Sequence, residues 1–271
     1  MTKRLEFTKD QITTITDLYF NKHLSSNKIG EMLGMPGEWV RKAIKRNGLR
    51  LRTTSTDRAN ALYIVDDTVF DEIDSEGKAW ALGFILSDGH VTDSGNIMFS
   101  QSASEMDVLE NIKTVLSSNA PIKEKGQYRT LTITSAKIGS RLREMGIGKN
   151  KSRGYDFDKV ISFIPDTYMR HFLRGMFDGD GSIRIYKYPY FKKHSAHFGF
   201  TNIYDAVYYM SEFLGLKTKI VKECEYAYTC VSANRGKIIE IYKSLYDGAK
   251  YFCKRKKDAF EQLIEIYKKE G

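Results

Sequence analysis

Two aspartates, Asp88 and Asp180, are the residues whose type and placement point most directly to chemistry. Each is followed by glycine and stands near the end of an apolar run with helical character, Ala81–Gly89 (ALGFILSDG) and Leu173–Gly181 (LRGMFDGDG). A single Asp-Gly after a helix is ordinarily only a turn. Two of them in matched contexts, each passing into a predicted strand, indicate a functional position that occurs twice.

Each run also contains a glycine inside the predicted helix, Gly83 or Gly175. Glycine within a helix costs about 1 kcal/mol relative to alanine, so two at equivalent places need a reason. The simplest reason is that two helices pack closely about a pseudo-two-fold axis, which would make Asp88 and Asp180 neighbours at the helix ends. Carboxylates there oppose the helix dipole and repel each other, unless a divalent cation lies between them. Mg²⁺ or Mn²⁺ bound by hard oxygen ligands suits metal-assisted hydrolysis of phosphodiesters.

The two runs belong to an internal repeat that covers most of the chain from residue 76 onward. Each copy has the pattern helix, two strands, helix, two strands, helix, with apolar alternation at Ile97 and Phe99 and again at Phe198 and Phe200. We therefore predict an α+β fold in which two αββαββα units form a pseudo-dimer. The first unit covers 76–162 and the second 163–271.

Residues 1–52 form a separate all-α region in the sequence pattern. Two short predicted helices flank the breaker Gly34-Met35-Pro36-Gly37, and the second is basic on its polar face. This arrangement predicts a helix-turn-helix module, although an ordinary three-helix bundle with a solvated basic face remains open. Its expected DNA-binding residues are Arg41, Lys42, Lys45 and Arg46. Residues 53–75 are polar with weak periodicity, and we interpret them as a linker.

The composition narrows the choice of partner and compartment. The formal net charge of +9 favours a polyanion, of which nucleic acid is the common one. Neither a secretory leader nor an apolar stretch of membrane-spanning length is evident. The three cysteines include no Cys-x-x-Cys pair and support neither a disulfide framework nor a zinc site. We expect an intracellular protein without a membrane partner, in the cytoplasm or nucleoid of a bacterial or phage-infected cell, or in an organelle matrix.

The paired motifs resemble those of the LAGLIDADG homing endonucleases, and the resemblance covers about residues 76–265. The second motif is close to the family consensus, whereas the first departs from it at Leu86, where an acidic residue is usual, and at His90, where serine is common. The resemblance implies that the last acid of each motif, Asp88 or Asp180, binds the metal. Asp178 matches the less essential acid, which we expect to be structural.

Further site residues follow from the resemblance. A polar side chain at the end of the second strand helps to order water in this family, and it corresponds here to Gln101 and Asn202. A basic residue near the last helix approaches the site and corresponds to Lys151 in the first copy. In the second copy it corresponds to Lys256, with Lys254 or Arg255 as alternatives because the alignment of this lysine-rich run is open.

The alternation of the strands predicts which side chains face DNA. If Ile183 and Phe198 point to the core, their neighbours point outward onto a polar, basic surface. Such a surface resembles the antiparallel DNA-binding sheet of the family, which lies in the major groove. The expected DNA contacts of the second copy are Ser182, Arg184, Tyr186, Tyr188, Lys193, Ser195 and His197. The equivalents in the first copy, which is less basic, are Thr92, Asn96, Thr130 and Thr132.

Together these features predict a monomeric, Mg²⁺- or Mn²⁺-dependent, site-specific endonuclease that cuts both strands of double-stranded DNA. Two alternatives stay open. One is an intron RNA-splicing maturase built on the same scaffold, whose partner would be intron RNA. The other is a non-catalytic DNA-binding regulator, against which the presence of both Asp88 and Asp180 argues.

Overall fold

The computed structural model consists of two compact units, an N-terminal unit of residues Met1–Val65 and a C-terminal unit of residues Asp66–Gly271. The residues that the structure describes are 7–22, 24–49, 51, 63–149, 151–187 and 193–270. Within these ranges, no helix combines the length and the apolar character needed to cross a membrane.

Among its described residues, the N-terminal unit contains three α-helices. Helix α1 (Lys9–Thr16) starts at Thr8, whose side chain accepts from the backbone of Gln11 in a reciprocal capping box. A π-helical turn follows α1 directly. Helix α2 (Ser26–Leu33) and helix α3 (Gly37–Arg46) come next.

A three-residue turn joins α2 to α3. Gly34 ends α2 in the left-handed conformation, with φ of 65°, which glycine adopts without steric cost. The turn brings the chain so close to α2 that a Cβ on Gly30 would lie 2.4 Å from the carbonyl oxygen of Met35. A small apolar core holds the helices together, and its buried members are Ile15, Leu18, Tyr19, Ile29, Val40, Ala43 and Ile44. The role of this unit in DNA binding stays a prediction.

The interpretation of 53–75 as a linker does not hold for the part from Asp66 onward. That part lies within the C-terminal unit and places three apolar side chains in its core, namely Val69, Phe70 and Ile73. The guanidinium of Arg141 donates to the carbonyl oxygen of Phe70 over 3.0 Å, which ties the segment to the first repeat. The segment is polar on average, but it contains a short apolar cluster that is buried in the folded protein. Residues 52–62 lie outside the described residues.

The first repeat starts with the long apolar helix α4 (Glu76–Asp88), which is buried on nearly all sides. The elements that follow are β1 (His90–Val91), β2 (Asn96–Ser102), α5 (Met106–Val115), β3 (Lys123–Lys125), β4 (Tyr128–Thr134) and α6 (Ala136–Glu144). A 3₁₀ turn (Lys151–Arg153) and the short helix α7 (Phe157–Ile161) lead into the second repeat.

The second repeat has the same order of elements and begins with α8 (Asp166–Asp180), the counterpart of α4. The elements that follow are β5 (Gly181–Tyr186), β6 (Ser195–Asn202), α9 (Tyr204–Phe213), β7 (Val221–Lys222), β8 (Tyr228–Ser232) and α10 (Arg235–Tyr246). A last helix, α11 (Lys254–Lys269), packs against α10 and β5.

Each repeat forms one four-stranded antiparallel sheet, with the orders β1-β2-β4-β3 and β5-β6-β8-β7. The matching orders confirm the predicted α+β fold with two αββαββα units. The predicted alternation is also confirmed, since Ile97, Phe99, Phe198 and Phe200 are all buried. One face of each sheet is therefore turned to the core, and the other is left for polar side chains.

Candidate active site

The two central helices α4 and α8 lie against each other at their glycines. A Cβ on Gly83 would lie 2.1 Å from the carbonyl oxygen of Phe172, and a Cβ on Gly175 would lie 2.0 Å from that of Trp80. Any side chain at either position would force the backbones apart. The predicted reason for the paired glycines, a close helix–helix contact, is confirmed.

This packing brings Asp88 and Asp180, the last residues of α4 and α8, together. Asp88 is exposed, whereas Asp180 is half-buried. Burial first, and then repulsion from the Asp88 carboxylate, raise the pKa of Asp180 to about 6. The positive charge of Lys151 acts in the opposite direction. The two carboxylates thus form one electrostatically coupled pair at the junction of the repeats.

An amide from the second strand of each repeat is hydrogen-bonded to each carboxylate. The Gln101 Nε2 group donates to Asp88 Oδ2 over 3.0 Å, and the Asn202 Nδ2 group donates to Asp180 Oδ2 over 2.7 Å. Both amides lie at the ends of equivalent strands, β2 and β6. The structure therefore brings together two carboxylate–amide pairs that the sequence placed in matched positions.

A lysine lies at the carboxyl end of each central helix. Lys151 Nζ donates to the carbonyl oxygens of Leu86 and Ser87 at the end of α4. Lys256 Nζ donates to three carbonyl oxygens at the end of α8, those of Phe177, Asp178 and Gly179. Burial lowers the pKa of both ammonium groups, and nearby carboxylates partly offset that effect.

The structure also distinguishes Lys256 from its two neighbours. Lys256 is buried beneath the helix end, whereas Lys254 pairs with Asp258 and Arg255 pairs with Glu105, 2.7 Å away. Of the three candidates in this run, Lys256 is the one whose ammonium group contacts the carboxyl end of α8.

Asp178 has a different environment from Asp180. It is buried and accepts hydrogen bonds from Trp80 Nε1 at 2.8 Å, from the Tyr246 hydroxyl at 2.5 Å and from the Cys253 backbone at 2.9 Å. Its contacts join α4, α10 and the start of α11, as expected for a structural role. The first repeat has the apolar Leu86 at this position, which cannot form an equivalent network.

A pocket of about 180 Å³ opens beside Asp180. It is lined by Leu86, Ser87, Lys151, Tyr155, Asp180, Thr201, Asn202, Ile203, Tyr226 and Ala227. Tyr155 is the site residue that sequence reasoning missed, because the chain has 17 tyrosines and nothing in the motif marks this one. Burial raises the pKa of Tyr155 well above its ordinary value, so its hydroxyl keeps its proton and can donate.

The donor set at Asp88 and Asp180 fits a hard divalent cation. Carboxylate oxygens suit Mg²⁺ or Mn²⁺, and a cation would relieve the repulsion that raises the pKa of Asp180. Within the described ranges, no group of three or more His, Cys, Asp or Glu side chains is arranged to hold a metal ion. Two carboxylates are sufficient for Mg²⁺, because this ion usually keeps several water ligands and takes further oxygen ligands from a substrate phosphate.

Five of the seven DNA contacts predicted for the second copy lie on strands β5 and β6. Arg184 pairs with His197 across β5 and β6, and both are exposed. The Tyr186 ring lies edge-on to His197, with ring centroids 5.3 Å apart. Lys193 is exposed just before β6, whereas Tyr188 lies outside the described residues.

The first sheet presents a less basic outer face. Thr132 is exposed opposite Met98, and Thr130 pairs with Ser100.

In the N-terminal unit, the basic residues of α3 are exposed as well. Arg41 donates to Ser26 Oγ over 3.1 Å, and Lys42 pairs with Glu38 at 2.7 Å. The other two exposed basic residues of this helix are Lys45 and Arg46.

The fold is that of the LAGLIDADG homing endonucleases. Solved structures of this class match the chain at low sequence identity. I-GzeII in complex with its DNA target has a TM-score of 0.51 and 13% identity over 71% of this chain and 91% of that one. I-SmaMI bound to uncleaved DNA in the presence of calcium ions has a TM-score of 0.50 and 14% identity over 71% of this chain and 92% of that one. I-CpaMI bound to uncleaved DNA matches at the same values.

Sequence comparisons add one relative. No protein-family model matches the chain. Reverse gyrase of Methanocaldococcus jannaschii is 25% identical over 193 residues, which are 69% of this chain and 11% of the reverse gyrase. The chain thus spans a small fraction of the length of that curated relative.

Proposed function

We propose that the chain belongs to the LAGLIDADG homing endonuclease family and is a site-specific, divalent-metal-dependent endonuclease that cuts both strands of duplex DNA. The observation that carries the proposal is the pairing of Asp88 with Asp180 at the ends of α4 and α8. Each carboxylate accepts a hydrogen bond from a side-chain amide of a neighbouring strand. The carboxyl end of each helix accepts hydrogen bonds from a lysine. Two equivalent centres about a pseudo-two-fold axis suit the two antiparallel strands of a duplex, so one chain can act as a monomer.

In this proposal, each residue has a definite task. Asp88 and Asp180 hold the divalent cation, while Gln101 and Asn202 fix the carboxylates and help to order water. Mg²⁺ or Mn²⁺ bound there would lower the pKa of a coordinated water and polarise the scissile phosphate. The ammonium groups of Lys151 and Lys256 place positive charge where negative charge develops on the phosphate during hydrolysis.

DNA would lie along the outer faces of the two sheets. Arg184 and Lys193 neutralise phosphates or reach guanine, while Tyr186 and His197 contact base edges or the backbone. The basic face of α3 supplies further contacts from the N-terminal unit. The exposed positions of Arg184, Lys193 and His197 and the net charge of +9 support this arrangement.

Cleavage of a selected target tests the proposal. A variant with both Asp88→Asn and Asp180→Asn, which lacks the carboxylates that would hold the metal, serves to select binding sites from a random duplex library. The selected site in a supercoiled plasmid is then offered to the wild type with Mg²⁺, and we expect linear product that EDTA abolishes. Each single Asn variant should fail to cut at least one strand while it still binds.

A matched control is Asp93→Asn, which removes a surface carboxylate that pairs with Lys149 at 3.1 Å, and it should cut like the wild type. Undiminished cutting by the double variant would contradict the assignment of the site. Specific binding without cutting by the wild type would favour a DNA-binding regulator. Splicing of an intron RNA by a chain that cuts no DNA would favour a maturase.

A further inference from the structure

The amide of Asn202 is held in one orientation by three hydrogen bonds. Its Oδ1 atom accepts from the Tyr155 hydroxyl at 2.7 Å and from the Ile203 backbone at 2.8 Å. Its Nδ2 group donates to Asp180 Oδ2 at 2.7 Å. A rotated amide would turn its NH₂ group toward two donors and its oxygen toward a carboxylate, so the observed orientation is strongly preferred.

Tyr155 reaches this site from the segment that connects the repeats. It lies between the 3₁₀ turn after the first repeat and α7, and its ring packs against Phe157, with centroids 6.3 Å apart. Phe157 is buried and packs in turn against Phe172 of α8 and Tyr209 of α9. The ring of Tyr155 is therefore packed against an aromatic cluster, and this packing limits the movement of its hydroxyl relative to β6.

The structure describes no equivalent tyrosine contact to the amide at the Asp88 centre. Gln101 donates to Asp88, but in the part of the chain that the structure describes no donor is placed on its own side-chain oxygen. Aligning Lys151 with Lys256 puts Phe260 at the position of Tyr155, and Phe260 has no hydroxyl and is fully buried. The two centres thus share their carboxylates, amides and lysines but differ in what orients the amide.

We propose that Tyr155 is a positioning residue, which locks the Asn202 amide so that it holds the Asp180 carboxylate in its working orientation. This inference rests on the proposed nuclease function. Tyr155 acts through Asn202, so its effect should depend on Asn202 and should appear in the rate of cleavage rather than in DNA affinity.

A double-mutant cycle tests the inference. Each DNA strand is end-labelled in turn, and its single-turnover cleavage rate is measured at saturating enzyme. The cycle uses the strand whose cleavage is slowed more by Asn202→Ala. Tyr155→Phe removes one hydrogen bond to a neutral acceptor, so we expect a loss of roughly 3- to 10-fold in this rate. DNA affinity and thermal midpoint should stay near those of the wild type. In the Asn202→Ala background, Tyr155→Phe should cause no further loss.

Tyr209→Phe is the matched control, since Tyr209 packs on the same Phe157 but does not line the pocket. It should leave the rate unchanged. An unchanged rate for Tyr155→Phe, a loss of equal size with and without Asn202, or a loss explained by weaker DNA binding would each overturn the inference. A wild type that cuts no selected target would instead overturn the proposed function, and the inference with it.

Discussion

Replacing Gly175 by alanine tests the packing of α4 against α8, on which the whole site depends. The new Cβ would lie 2.0 Å from the Trp80 carbonyl oxygen, where an ordinary contact begins at 3.4 Å, so the helices must separate by up to 1.4 Å. Both contacting groups belong to helix backbone, and neither can rotate away. Overpacking of this kind costs about 1–3 kcal/mol, against which alanine returns about 0.5–1 kcal/mol of helix propensity.

We therefore expect Gly175→Ala to lower the free energy of unfolding by about 1–2 kcal/mol, and the thermal midpoint by roughly 3–6 °C. Trp80 is buried in this contact, and the chain has two tryptophans, so fluorescence in a Trp39→Phe background reports on the C-terminal unit alone. Displacement of one of the two proposed metal-binding carboxylates by about 1 Å should also slow cleavage on the order of 100-fold.

Gly236→Ala is the control, because it makes the same substitution in α10, where the nearest atom to the new Cβ, Asn234 Oδ1, lies 3.4 Å away. It should leave stability unchanged or slightly raised. If Gly175→Ala is as stable as Gly236→Ala and cuts DNA at the rate of the wild type, the contact between α4 and α8 does not require glycine at position 175.

Two further predictions concern Glu270 of the C-terminal unit and helix α3 of the N-terminal unit. Hydrogen bonds from His194 and Arg235 lower the pKa of Glu270 to about 2, below its ordinary 4.5, so these bonds should stabilise the fold above about pH 4.5 and lose their effect as the pH falls toward 2. Urea unfolding should accordingly show that Glu270→Gln destabilises the protein more at pH 5 than at pH 3, and a constant difference would contradict this. In the N-terminal unit, glutamine at all four basic positions of α3 should weaken DNA binding and reduce the slope of log Kd against log salt by about 0.9 for each phosphate that the helix no longer neutralises. Anisotropy titrations that give the wild-type slope would exclude this helix as a DNA-binding element. The four positions are Arg41, Lys42, Lys45 and Arg46.

Much of the fold follows from local sequence because helices and strands have their own periods and end signals. The cap at Thr8, the left-handed Gly34 and the alternation around Phe99 and Phe198 each act within a few residues. The repeat then fixes the architecture, since equal patterns fold into equal units. The pairing of Asp88 with Asp180 could also be predicted from the repeat, because a glycine at the same position of each helix indicates that the two helices pack closely.

Contacts between residues distant in the chain could not be predicted in this way. Tyr155 reaches Asn202 across 47 residues, and Trp80 reaches Asp178 across 98. Lys256 was one of three candidates until the packing of α11 buried it and left its neighbours on the surface. A hydrogen bond depends on tenths of an ångström and on the direction of its groups, and sequence spacing carries neither once the chain has turned several times. The sequence by itself therefore determined the repeated units and the paired carboxylates, while the tertiary structure decided which tyrosine and which lysine stand beside them.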